Sequence, residues 1–232
     1  MIKVILFDVD NTLLDFDAYV REAMKSGFSQ FNLGEYRDEM YETFTKINTG
    51  LWLDLEQGRL TYDELLQIRW NKIFSALGIT GDGPAFEKYF KGCLFHSAIP
   101  IKGAHDLLAY LKGKYTLCVA SNGPHDQQLN RLEKADMLSQ FSEVFTSGFS
   151  KPSGDFFDYC MKTLNQDEEL RKYGEILPSE VLMVGDSLTS DMEGALQSGM
   201  KTCFFDRKKS GKGSCLPIDH VIHDLQELRE IL

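Results

Sequence analysis

Five short apolar runs, residues 2–7, 115–120, 143–146, 181–184 and 201–205, predict strands buried on both faces. Helical spacing of apolar residues fills the gaps between the later runs, over 101–113, 124–138, 154–165 and 188–199, as in Leu107, Leu108 and Leu111. Strands alternating with helices in this way predict an α/β fold: a Rossmann-like, doubly wound parallel sheet.

The first two runs break the rhythm, because roughly a hundred residues lie between them, far more than one crossover helix requires. Apolar residues three and four apart predict four helices there, over 17–31, 36–49, 61–77 and 84–94, with Gly34, Gly50, Gly58 and the 78–83 stretch as breaks. The expected division is therefore a catalytic α/β domain of residues 1–14 and 100–232 and an inserted helical-bundle cap of residues 15–99. Two linkers, near 14–17 and 95–101, would make that insert a hinged lid.

With 25 Lys and Arg against 35 Asp and Glu, the chain carries a net charge of -10, which disfavours binding to a nucleic acid polymer or an anionic membrane. Its apolar fraction, 43%, is that of an ordinary globular protein. Five cysteines without C-x-x-C spacing read as reduced thiols of a cytoplasmic protein. The apolar run before Asp8 is too short for a signal-peptide core or a membrane span.

What narrows the function is where the polar residues fall. Asp8-Val9-Asp10-Asn11-Thr12 ends the first run, Ser121-Asn122-Gly123 ends the second, Ser150-Lys151-Pro152 follows the third, and Gly185-Asp186 leads to Asp191 after the fourth. In an open parallel sheet, ligands bind at the carboxyl ends of the strands. Any one of these residues could merely cap a helix or make a turn. Four such stretches in order assemble a phosphoryl-transfer site.

In that site Asp8 is the expected nucleophile, forming an aspartyl-phosphate. Asp10, on the same side of the extended chain, would protonate the leaving oxygen and later take a proton from water, holding its own proton through burial and neighbouring carboxylates. A phosphate dianion among so many carboxylates calls for a divalent cation, and Mg²⁺ is the hard, oxygen-loving choice. Its expected ligands are the Asp8 and Asp186 carboxylates and the Asp10 backbone carbonyl. Asp191 would hold a metal-bound water or orient Lys151. The Ser121 hydroxyl and the Asn122 backbone N–H would take phosphoryl oxygens, with Lys151 offsetting transition-state charge. Thr12 is expected to fix the turn through its hydroxyl.

This pattern, D-x-D-x-T followed by Ser, Lys and G-D-x-x-x-x-D from position 8 to 191, resembles the haloacid dehalogenase-like hydrolase superfamily. The resemblance implies a Mg²⁺-dependent phosphatase with a helical cap of the first class (subfamily IA), and it places family roles on Asp8, Asp10, Ser121, Lys151, Asp186 and Asp191. An acid at position 10 speaks against dehalogenation. The cap segment from Ile47 to Thr61 is similar to the bacterial pyrimidine 5'-nucleotidase branch.

The expected function is hydrolysis of a small phosphomonoester, nucleoside 5'-monophosphates first, by a monomer or homodimer. A sugar-phosphate or phosphoglycolate-type phosphatase, a phosphomutase, and a silent phosphate-binding module are the rivals. Phe16 and Trp52 are the cap aromatics on which a base or sugar could stack, Trp52 filling the bundle core being the alternative. Arg59 and Arg69 could meet a second anionic group, but exposed arginines on a helical cap are more often solvated, and both are read so. The acidic 165–180 segment and a mobile basic loop at 206–216 stand apart from the chemistry.

Overall fold

A strand covered on both faces has to be apolar at every position, and β1 (Val4–Phe7) is buried from end to end. The computed structural model, which describes residues 1–146, 150–167 and 174–232, adds β2 (Thr116–Ala120), β3 (Glu143–Phe145), β4 (Val181–Gly185), β5 (Lys201–Phe205) and β6 (His220–Ile222). They form one sheet of order β3-β2-β1-β4-β5-β6 in which every neighbouring pair is parallel. The order reverses between β1 and β4, the switch point at which such sheets bind ligands. Phe7 pairs with both Val119 and Val184, so β1, β2 and β4 end level and their following residues emerge together.

Alternation along β1 divides the core in two. Ile5 and Phe7 pack with Leu107, Leu108 and Leu111 of α5 (Ala104–Leu111) and Leu132 of α6 (His125–Lys134). Val4 and Leu6 face the other way, onto Phe156, Phe157 and Cys160 of α7 (Gly154–Gln166). The sixth strand went unexpected because it is three residues long and two of them are exposed. The five cysteines are free thiols, three of them buried.

The chain divides into two compact units, one of Met1–Asp15 with Ala98–Leu232 and the other of Phe16–Ser97. In the first, the two segments leading to and from the insert pair with each other. The Asp15 N–H donates to Ile99 O at 2.7 Å and the Ile101 N–H to Leu13 O at 2.8 Å. Arg207, after β5, grips Asp15 through two bonds of 2.6 and 3.2 Å. The basic loop is bonded at its start. Asp206 is buried and accepts the amides of Ser210 and Gly211 at 2.8 and 3.0 Å, which folds the loop back on itself.

The second unit is a bundle of α1 (Phe16–Gln30), α2 (Glu39–Glu56), α3 (Tyr62–Leu77) and α4 (Gly83–His96), with α3 packed on α2 and α4 and α1 packed on α4. A capping box of Thr61 and Glu64 starts α3, and Gly78, at φ 67°, ends it in the left-handed conformation that glycine adopts without penalty. Gly50 does not end α2 as expected, and the helix runs on to Glu56. The buried stripe of Phe44, Asn48 and Leu51 crosses that glycine, and its packing outweighs a helix penalty of about 1 kcal/mol.

Arg69, read as solvated, is instead buried inside this unit. Its guanidinium grips Glu87 at 3.0 and 2.5 Å, donates to Asn48 Oδ1 at 3.0 Å and lies over the Phe90 ring. Three helices are thereby pinned at one point. Arg69→Ala strands a buried carboxylate and is expected to cost about 3–5 kcal/mol in urea unfolding. The double change Arg69→Met with Glu87→Leu should recover most of that loss, and no recovery would show that the pair is more than a satisfied core contact.

Candidate active site

The turn after β1 carries the first two carboxylates. Val9 O accepts the amides of Thr12, Leu13 and Leu14, and Asn11 closes the turn at φ 63°, a left-handed conformation that asparagine tolerates better than most residues. The Thr12 hydroxyl plays no part in this. It is buried without a hydrogen-bond partner among the described residues, and the backbone bonds to Val9 O hold the turn without it.

Lys151 is the centre of the site. Its ammonium is 1% exposed and donates to Asp8 Oδ1 at 2.8 Å, Asp191 Oδ1 at 2.5 Å and Ala120 O at 2.6 Å, which uses all three donors. Burial works against its charge, but Asp191 and Asp8 outweigh burial and raise its pKa above the usual lysine value. The backbone of Lys151 is equally fixed. Its N–H donates to Asn122 Oδ1 at 2.8 Å, and Asn122 Nδ2 donates to Lys151 O at 3.0 Å. Sequence reasoning gave Asn122 its backbone N–H as a phosphate donor and missed this side-chain staple, which nothing in a local motif announces.

Asp191 lies on a wide helical turn, Leu188–Glu193, that leads into α8 (Gly194–Gln197). It is wholly buried, and its second oxygen accepts the Ser187 N–H at 3.0 Å. Gly185 makes room for it, since a Cβ there would come within 2.1 Å of Asp191 Oδ2. With both oxygens engaged, Asp191 is a holder of Lys151.

Carboxylate oxygens of Asp8, Asp186 and Asp191 nevertheless come within 4.8 Å of one another. Burial pushes the Asp8 carboxyl up to about 7. Lys151 pulls it down, while Asp191 and Asp10 add to the rise. A hard, all-oxygen set that strains against its own negative charge fits Mg²⁺.

Asp10 is placed differently from Asp8. Its side chain is 32% exposed, and the groups that bind its two oxygens are a cation and an amide. Arg131 forms an ion pair with Asp10 Oδ1 at 2.8 Å, and Gln128 donates to Asp10 Oδ2 at 3.0 Å. Gln128 also donates to Ser121 Oγ at 2.8 Å. Neither α6 residue was anticipated. The only sequence signal was a Gln and an Arg three apart at the buried face of a helix that follows the Ser121 stretch.

Asp8, Asp10, Ser121, Asn122, Lys151, Asp186 and Asp191 thus belong to the level ends of β1, β2 and β4 and the loops beside them, within one unit. A model of the haloacid dehalogenase-like hydrolases matches residues 2–199. The chain belongs to that family. It is 30% identical to the hydrolase YfnB of Bacillus subtilis over 99% of this chain and 95% of the relative. The YfnB crystal structure, described as bound to magnesium and as revealing interdomain movement, superposes with a TM-score of 0.88, covering 100% of this chain and 98% of that one. The pyrimidine 5'-nucleotidase PynA of Streptococcus pneumoniae is 29% identical, over 88% of this chain and 84% of its own. A glyceraldehyde 3-phosphate phosphatase of Pyrococcus furiosus is also 29% identical, over 100% of this chain and 93% of its own. This protein is a hydrolase of the family, with a helical cap unit inserted after its first motif.

In that cap unit Phe16 is half-buried and packs on Tyr19 and Phe44, with ring centroids 5.6 and 6.5 Å away. Trp52 is half-buried beside Tyr62 at 6.2 Å. Trp70, fully buried, fills the bundle core in its place, 4.2 Å from Phe86. Arg59 is exposed and pairs with Asp54. Of the acidic 165–180 segment, residues 168–173 lie outside the described residues. No described helix is long and apolar enough to cross a membrane.

Proposed function

We propose that the protein is a magnesium-dependent phosphomonoesterase that hydrolyses nucleoside 5'-monophosphates, pyrimidine ones first, through a phosphorylated Asp8. One observation carries the chemistry: Lys151, locked by Asp191, holds one Asp8 oxygen and leaves the other without a partner among the described residues. That free oxygen would attack phosphorus, and the P–O ester bond would break. The departing oxygen would take a proton from Asp10. Water would then attack the aspartyl-phosphate, giving its proton to Asp10 and restoring the Asp8 carboxylate. Asp8, Asp186 and the Asp10 carbonyl would hold magnesium, which when bound supplies neutralising charge to the phosphoryl oxygens. Ser121 and the Asn122 N–H would bind those oxygens, and Lys151 would offset the charge that shifts between them.

The nucleotide preference rests on kinship with PynA and on the cap segment from Ile47 to Thr61. The glyceraldehyde 3-phosphate phosphatase relative favours sugar phosphates as the second reading. Phe16 and Trp52 of the helical unit are the proposed stacking residues for a base or sugar. A panel of nucleoside monophosphates and sugar phosphates, assayed for released phosphate with Mg²⁺, tests both readings. Pyrimidine nucleotides are expected to lead, and turnover of sugar phosphates alone would reject the nucleotide assignment. Chelation by EDTA is expected to remove activity and Mg²⁺ to restore it.

A further inference from the structure

We propose that Gln128, held in place by Arg131, is a positioning residue that makes Ser121 an obligatory hydrogen-bond donor to phosphate and fixes the Asp10 carboxylate in the same stroke. The inference rests on the phosphomonoesterase reading above and extends it to two residues of α6.

Gln128 is 0% exposed and Arg131 1% exposed, so neither is solvated, and polar groups so placed need partners. Arg131 Nη1 donates to Gln128 Oε1 at 3.0 Å. That bond dictates which end of the amide faces the site. Reversal would set the amide oxygen against Asp10 Oδ2 and its NH₂ against a guanidinium, so both contacts would turn repulsive.

Thus oriented, Nε2 spends one proton on Asp10 Oδ2 at 3.0 Å and the other on Ser121 Oγ at 2.8 Å. Ser121 Oγ also accepts the Gly123 N–H at 3.2 Å. A hydroxyl has two acceptor positions and one proton to give. Both positions are taken, and no acceptor for the proton is present among the described residues. It is left to point at an incoming anion. Gly123 serves the same arrangement, because a Cβ there would come within 2.3 Å of Gln128 Nε2. Asp10, meanwhile, has one oxygen at ion-pair distance from Arg131 and accepts the Gln128 amide on the other, which holds its carboxylate in place.

The test uses Gln128→Met, which removes the bonds, and Gln128→Glu, which keeps the size and the pairing with Arg131 but presents acceptors to Ser121 and Asp10. Inorganic phosphate, as a competitive inhibitor, should bind about tenfold more weakly to either variant, the loss of one good hydrogen bond. Ser121→Ala should weaken it similarly, and the Ser121→Ala, Gln128→Met double variant should be no worse than either single one. A misplaced acid hurts poor leaving groups most, so kcat/KM for an alkyl phosphate should fall about tenfold further than for 4-nitrophenyl phosphate. Arg131→Lys should retain more of both properties than Arg131→Met. Wild-type phosphate affinity and an unchanged alkyl-to-aryl ratio in the Gln128 variants would overturn the inference, as would strict additivity with Ser121→Ala. Wild-type protein inactive on every phosphomonoester would sink the proposed function instead, a result distinguishable from these.

Discussion

Asp8→Asn is expected to abolish phosphate release by at least about 10⁴-fold, the order of loss when a covalent nucleophile is removed. The amide keeps the shape of the carboxylate, so the fold should survive. A phosphorylated enzyme trapped by acid quench from labelled substrate should disappear in the variant. Residual turnover within tenfold of wild type would sink the aspartyl-phosphate.

The same variant has a second, opposite signature. In the metal-free fold the Asp8 carboxyl is raised from 3.8 to about 7, first by burial. A carboxylate raised in the folded state binds a proton that the unfolded chain has released. Its ionisation therefore lowers stability as the pH climbs from about 4 through about 7, and the loss persists above that. Asn carries no such cost. With EDTA present, Asp8→Asn should unfold at a higher urea concentration than wild type at pH 8, and the gap should close near pH 4. A variant that is inactive yet more stable would mark Asp8 as a group kept for chemistry at the expense of the fold.

Lys151→Met should have the second largest effect, on activity and stability together. The ammonium is the shared counter-charge of Asp8 and Asp191 and is 1% exposed, so its removal leaves two buried carboxylates facing each other. Breaking a buried ion pair from one side costs about 3–5 kcal/mol. Turnover should fall by about 10²–10³, the scale for losing one preorganised electrostatic group. Mg²⁺ should restore part of the stability by binding only the folded state, and little of the turnover. A variant as stable as wild type in EDTA would show that something else balances these anions.

The contrast between these two residues bears on how the site was legible. Asp8 announces itself, because an apolar run that stops at two alternate carboxylates has few other meanings. Lys151 is marked in the sequence by the proline after it, but its partners are not, and only the fold brings Asp8, Ala120 and Asp191 together against its ammonium. Helix spacing was similarly informative for α1, α3 and α4, and α3 and α4 each start at a capping side chain. It failed at Gly50, because tertiary packing of Phe44 and Leu51 overrides a local preference worth only about 1 kcal/mol. Arg69 was misread for the same reason. Its partner Glu87 is on another helix, and no local pattern encodes a pair across helices.

The chain alone therefore determined its class of fold, the inserted helical segment, and the four stretches that bear chemistry, since strand period, helix period and strand-end polarity are properties of near neighbours along the sequence. Only the tertiary structure decided that Lys151 is clamped between Asp8 and Asp191, that Asn122 staples the Lys151 backbone, and that Gln128 and Arg131 stand behind Asp10 and Ser121. Those contacts join residues whose proximity depends on strand order, and strand order follows from how whole faces bury, not from any short stretch of sequence.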